Sequence, residues 1–244
     1  LSPRSLVSAS ASVMAGGDYN GDGKYDIAVP YFAFAANGIG FLLGKGDGTF
    51  GSNGSLGLPS GSFGISSADF NADGKADLAV TLYDDSTIAI LQNLGSKFQI
   101  ARYVSAGAGP HGVVAADFNG DSKADLVISD PDGGALRVML GNGDGTFQAA
   151  VVLPTGGTTP QPVLAVDLNL DGSLDLVTVN VGSAGTVTAM LGKGTGQFAT
   201  PQQISAPCSH TDVVAADVNG DRLPDLLLPV SSGATVSVLL NTSR

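Results

Sequence analysis

Apolar residues along this chain fall into short runs, and the runs come in groups. Val113–Ala116 is one brief run, Asp125-Leu-Val-Ile-Ser129 a second and Leu136-Arg-Val-Met-Leu140 a third. Runs of this length, bounded by Gly, Asn and Asp, read as β-strands rather than helices. Asp130–Gly134 predicts a turn between the second and third. Gly141-Asn-Gly-Asp-Gly-Thr146 predicts a hairpin leading into a fourth strand over Phe147–Leu153. The same grouping returns about every 50 residues, which calls for a repeat architecture. Four antiparallel strands per repeat match a β-propeller blade. The expected fold is therefore all-β, a propeller of five four-stranded blades in one domain over residues 1–244.

Between the first and second strand of each repeat lies a loop dense in oxygen-bearing side chains. Its five copies are Asp18–Asp26, Asp69–Asp77, Asp117–Asp125, Asp167–Asp175 and Asp217–Asp225, with first residues 51, 48, 50 and 50 positions apart. Oxygen side chains stand at loop positions 1, 3, 5 and 9. They are Asp18, Asn20, Asp22 and Asp26; Asp69, Asn71, Asp73 and Asp77; Asp117, Asn119, Asp121 and Asp125; Asp167, Asn169, Asp171 and Asp175; and Asp217, Asn219, Asp221 and Asp225. Position 7 offers its backbone carbonyl, from Lys24, Lys75, Lys123, Ser173 and Leu223. An all-oxygen set of this kind suits Ca²⁺, which takes about six to eight oxygen ligands. Glycine at position 6 permits the sharp bend, but Ser122 and Arg222 replace it in the third and fifth loops.

The loop is not an EF-hand, which needs Glu at position 12. That position holds Val29, Val80, Ile128, Thr178 and Leu228, and the chain contains no Glu. Three carboxylates a few ångströms apart repel one another unless something neutralises them. Up to five Ca²⁺, one per repeat, are the expected cofactor. The formal charge of −11 is mostly these loops, since they hold 15 of the 22 Asp. The 11 Lys and Arg form no run, so no nucleic-acid partner is expected. No stretch of 18 apolar residues exists, so no membrane span is expected. Cys208 is alone and cannot form an internal disulfide. The chain opens on Leu1, as a processed product or an excised domain would. Calcium sites of this type fill at the millimolar levels found outside cells, which points to an extracellular or cell-surface location.

Aligning the repeats leaves the last unit one strand short, with a spare strand near Arg4–Ser8. Pairing the two would close the ring and leave no open sheet edge.

These motifs, Asp-Phe-Asn-Gly/Ala-Asp-Gly-Lys-x-Asp-Leu and Leu-Gly-x-Gly-Asp-Gly-Thr-Phe, resemble the FG-GAP/VCBS repeat family, whose calcium-loop blades also occur in integrin α-subunit propellers. The resemblance implies metal ligands at positions 1, 3, 5, 7 and 9, and metal loops on one face. It implies a binding face opposite, built here from Tyr31–Gly38, Tyr83–Ser86, Asp130–Gly134, Gly107–Gly112 and Ser205–Asp212. Some relatives are lectins, so a carbohydrate or protein ligand is expected. A structural or docking role in a larger secreted protein competes with that reading. Against a lectin, there is no Trp, and Tyr31, Phe32, Phe34 and Tyr83 are the aromatics in those loops.

An enzyme is not expected. Without Glu, a two-carboxylate mechanism would need Asp outside the loops: Asp47, Asp84, Asp85, Asp130, Asp132, Asp144 or Asp212. His111 and Ser209-His210-Thr211-Asp212 match no catalytic arrangement.

Overall fold

A computed structural model describes residues 13–33, 36–95, 97–182, 185–206, 212–230 and 235–242. Nineteen strands are present among them, and no helix. The first sheet joins β1 (Ala15–Gly17), β2 (Asp26–Ala33), β3 (Ala36–Gly44) and β4 (Phe50–Leu58). The second joins β5 (Ile65–Ala68), β6 (Asp77–Leu82), β7 (Thr87–Asn93) and β8 (Phe98–Ser105). The third joins β9 (Val113–Ala116), β10 (Asp125–Asp130), β11 (Ala135–Met139) and β12 (Val151–Pro154). The fourth joins β13 (Pro160–Val166), β14 (Asp175–Asn180), β15 (Thr186–Met190) and β16 (Gln202–Ser205). The last has three strands, β17 (Val214–Ala216), β18 (Asp225–Val230) and β19 (Thr235–Leu239). Every pairing is antiparallel and between sequence neighbours. This is the blade pattern of a β-propeller.

Two expected elements differ by more than one residue. The fourth strand of the third repeat begins at Val151, not Phe147. Phe147 makes only an isolated bridge to Gly141 as the hairpin closes. The expected loop Tyr31–Gly38 is mostly strand, because β2 and β3 pair as far as Ala33 and Ala36. Phe34 lies outside the described residues.

The core consists of layers between successive sheets. The second strands β6, β10 and β14 are buried along their whole length, with apolar residues on both faces and internal partners for buried polar groups such as Thr81, Ser129 and Thr178. Leu78 and Val80 of the second sheet pack on Ala28 and Ile39 of the first. Ile88 and Ile90 pack against Leu126 and Ile128 of the third. Leu136 and Val138 meet Leu176 and Met190, and Val187 and Ala189 meet Leu226 and Leu228. One third-strand position recurs throughout: Ile39, Ile88, Leu136 and Val187 are each fully buried against the next sheet. Its fifth copy, Val236, is 59% exposed, and Val238 and Leu240 beside it are 45% and 56% exposed. Among the described residues no strand pairs the last sheet with the first, and Arg4–Ser8 lies outside them.

Truncating the recurrent position should be costly where it is buried. Leu136→Ala should lower the unfolding free energy by about 2–5 kcal/mol in urea titration.

Candidate metal loops

The five aspartate loops connect the first and second strands of their sheets, so all sit at one end of the sheet stack. Their shape comes from side chains taking the place of missing backbone partners. Asp18 Oδ1 accepts the N–H of Gly21 and its Oδ2 that of Gly23. The position-1 Oδ2 accepts the position-6 N–H in every loop, at 2.7–3.0 Å. Asn at position 3 accepts the position-5 N–H at 2.8–3.1 Å. Asp at position 5 accepts the position-7 N–H at 2.8–3.0 Å. These are successive Asx-turns.

Positions 4 and 6 are left-handed throughout. In the first loop they are Gly21 and Gly23, both at φ 77°. Ser122 and Arg222 adopt the same conformation at position 6, with φ 64° and 76°, as do Ala72 and Leu170 at position 4, with φ 57° and 58°. Replacing glycine therefore leaves the loop shape intact, at a strain of about 1–2 kcal/mol per residue. The requirement at position 4 was missed from the sequence, although Asn-Gly at residues 20–21, 119–120 and 219–220 was its signal.

Position 9 has a separate task. Asp26, Asp77, Asp125, Asp175 and Asp225 are buried. One oxygen of each accepts the N–H at position 2, from Tyr19, Phe70, Phe118, Leu168 and Val218, at 2.8–3.3 Å. The other accepts an N–H at the end of the third strand, from Gly44, Asn93, Gly141, Gly192 and Asn241, at 2.7–2.8 Å. Each thus ties its loop to its own sheet. Among the described residues no three His, Cys, Asp or Glu side chains cluster as a metal centre. The position-9 carboxylate serves the amides, and the position-3 donor is an amide oxygen.

The oxygen-only donor set still fits a hard cation. A carboxylate oxygen bonded to one N–H keeps a second lone pair. Asp18, Asn20 and Asp22 would hold such an ion with the Lys24 carbonyl, and the equivalent residues would do so in the other loops. Part of the repulsion is answered without metal. Lys24, Lys75 and Lys123 place Nζ 3.4–3.6 Å from Asp22, Asp73 and Asp121. Ser173 and Leu223 replace the lysine in the last two loops, which lack that internal cation.

Electrostatics separates the positions. Backbone donors hold the exposed carboxyls below their usual range: chiefly Gly23 N–H for Asp18, Lys75 for Asp73, Lys123 for Asp121, Ser173 for Asp171 and Gly220 for Asp217. Burial acts the other way at position 9. It pushes Asp77 up to about 6, against the pull of the Asn93 and Phe70 amides. Burial likewise raises Asp125 and Asp175.

A second device links neighbours. The position-2 carbonyl of each of the first four loops accepts a hydrogen bond from the following sheet. Gly145 N–H bonds Phe70 at 2.7 Å and Gly196 N–H bonds Phe118 at 2.9 Å. Asn93 Nδ2 bonds Tyr19 at 2.9 Å, and Asn241 Nδ2 bonds Leu168 at 2.7 Å.

The other candidates are dispersed. Asp47 and Asp144 accept from the backbone and hydroxyl of Thr49 and Thr146, which is a turn role. Asp130 is buried in an ion pair with Arg137 at 2.7 Å. At the end opposite the metal loops, Phe63 stacks on His111 at 4.8 Å and meets Tyr83 edge-on at 5.4 Å. Burial holds His111 below the usual imidazole range. Ser209, His210 and Thr211 lie outside the described residues, and Asp212 accepts the N–H of Val213.

The sequence model of the FG-GAP-like repeat matches residues 18–80, 69–128, 117–178 and 167–228. The chain belongs to the FG-GAP-like repeat family. No curated protein sequence matches it significantly. Among solved structures it is similar to the Photorhabdus luminescens Tc holotoxin pore, at 21% identity and TM-score 0.50, over 98% of this chain and 11% of that one. It is also similar to a protein of Bacteroides uniformis described as a putative 6-phosphogluconolactonase, at 13% identity and TM-score 0.65. That match covers 87% of this chain and 63% of the other. Likenesses at these identities show the fold alone. The second corrects one expectation: the same architecture occurs in a protein described as an enzyme, so the absence of catalysis cannot be read from this fold.

The position-9 shifts set a pH dependence. A carboxyl raised in the folded state stabilises the fold most below the unfolded value of 3.8, and loses that contribution as pH rises through its folded value. In chelator, the melting temperature should fall between about pH 4 and pH 6, the window set by Asp77. A pH series of thermal melts checks this.

Proposed function

We propose that this chain is a calcium-stabilised binding module acting outside the cell, which recognises carbohydrate or protein through loops opposite the metal loops. The observation that carries the reading is the loop geometry. Five exposed loops present oxygen donors on a backbone already held by amide bonds and by a buried aspartate. A site ordered before binding pays less to bind. The fourth loop contains no Lys or Arg, so its demand for an ion is greatest.

Two features support recognition at the opposite end. Tyr83 is 37% exposed beside Phe63 and His111. A cup of about 240 Å³ opens beside Gly157 and Thr158, where the buried Asn180 Oδ1 has no hydrogen-bond partner. A ligand hydroxyl or N–H would satisfy it.

A five-blade ring closed by Arg4–Ser8 belongs to the same reading. That segment would supply the strand the last sheet lacks. The first sheet would then cover Val236, Val238 and Leu240, an apolar face of the kind monomers seldom leave open.

Calcium at about 100 times its dissociation constant should stabilise the fold by about 2.7 kcal/mol per site. Melting in calcium and then in EDTA should show a clear drop, and identical melts would refute the metal reading. Closure predicts that Val236→Ala costs about 1–3 kcal/mol, as a buried residue would. A change within about 0.5 kcal/mol means an open arc.

A further inference from the structure

Two of the junctions between sheets use an Asn amide in place of a glycine N–H, and the one between the first and second sheets also has a shortened hairpin. In the third and fourth sheets the hairpin runs seven residues, Gly141–Phe147 and Gly192–Phe198. Its tip glycine reaches the preceding loop, as Gly145 does at Phe70. In the second sheet the same stretch, Asn93–Phe98, is one residue shorter. Both ends are anchored alike. Asn93 and Gly141 each donate to the position-9 aspartate. Phe98 and Phe147 each meet the position-2 aromatic, Tyr19 at 5.4 Å and Phe70 at 5.7 Å. At this junction the Asn93 amide makes the bond to Tyr19.

The space at this junction is larger than at the next. Between the second and third sheets the groove is about 80 Å³, walled by Arg102 of the outer strand and Asp144 of the tip. Between the first and second sheets the corresponding cavity is about 500 Å³. Its outer strand carries Asn53 and Ser55, and Gly54 and Asn53 lie opposite Phe41, where the register of β3 and β4 slips. The floor is aromatic: Phe41 and Phe98 stack at 4.8 Å, with Tyr19 beside them. Asn20, Asn53 and Ser55 line the cavity with amides and a hydroxyl.

We propose that this cavity binds one sugar ring of a neutral glycan. Its volume falls in the range of small-molecule sites, about 300–1,000 Å³. An aromatic floor takes the C–H face of a pyranose, and side-chain amides pair with its hydroxyls. Asp22 and Lys97 at its edge are opposite in sign, and with calcium on Asn20 and Asp22 the polar partners left to the sugar are Asn53, Ser55 and Lys97. The site lies at the metal-loop end, apart from the opposite face proposed above, and it rests only on the carbohydrate branch of that reading.

Saturation-transfer NMR on the calcium-loaded chain tests it, with methyl glycosides of glucose, galactose, mannose and N-acetylglucosamine as probes. Asn53→Trp should block the cavity, and Ser52→Trp, an exposed neighbour outside it, is the control. Both side chains are exposed, so both variants should melt like the parent. At least one glycoside should bind the parent and Ser52→Trp, with affinity falling about tenfold or more in Asn53→Trp. Undiminished binding to Asn53→Trp overturns the cavity alone, since the sugar then sits elsewhere. Silence of the parent toward all four overturns the cavity and the carbohydrate branch together.

Discussion

A buried carboxylate that bridges two backbone amides is the contact on which each repeat depends. Asp26, Asp77, Asp125, Asp175 and Asp225 hold the start of the loop and the end of the third strand with one side chain. Removing a carboxylate from water is expensive unless its oxygens are paired. Here both oxygens are paired, and the raised pKa of Asp77 records the cost that remains. The ninth position is buried, while positions 1, 3 and 5 stand nearer solvent with their oxygens also taking loop amides. Their backbone is fixed before any ligand arrives.

Between repeats the same logic is carried by a different pair of contacts. An apolar layer joins each sheet to the next, and one donor from the following sheet caps the position-2 carbonyl of the loop before it. Stability in such a stack is close to a sum of units and junctions. A junction can therefore be modified without disturbing its neighbours. In the second sheet the hairpin is one residue shorter, and the Asn93 amide makes the bond to Tyr19. The fold is kept there, beside the larger cavity.

Much of this architecture was legible in the sequence. The repeat spacing, the loops between first and second strands, the limits of β9 and the start of β10 follow from local chemistry alone. Tyr31–Gly38 was placed among the loops by the family resemblance alone, while the pairing that makes it strand is set across the hairpin. The start of β12 was missed because Phe147 is apolar for its contact with Phe70, not for sheet pairing. The double duty of the ninth aspartate was hidden, since its partner amides lie up to 18 residues away. Repulsion within the loops was overstated, because amides and Lys24, Lys75 and Lys123 offset part of it. The cavity showed in the sequence only as a shortened hairpin. Its size depends on Phe41 and Asn53 of another repeat.

The central claim is that clamped aspartate loops hold divalent ions. Metal content after equilibrium dialysis against millimolar calcium tests it most directly. Several calcium ions per chain, approaching the five loops present, are the predicted result, with loss of one when Asp171 is replaced by Ala. Fewer than about one ion per chain, from protein whose melt shows it fully folded, would contradict the account.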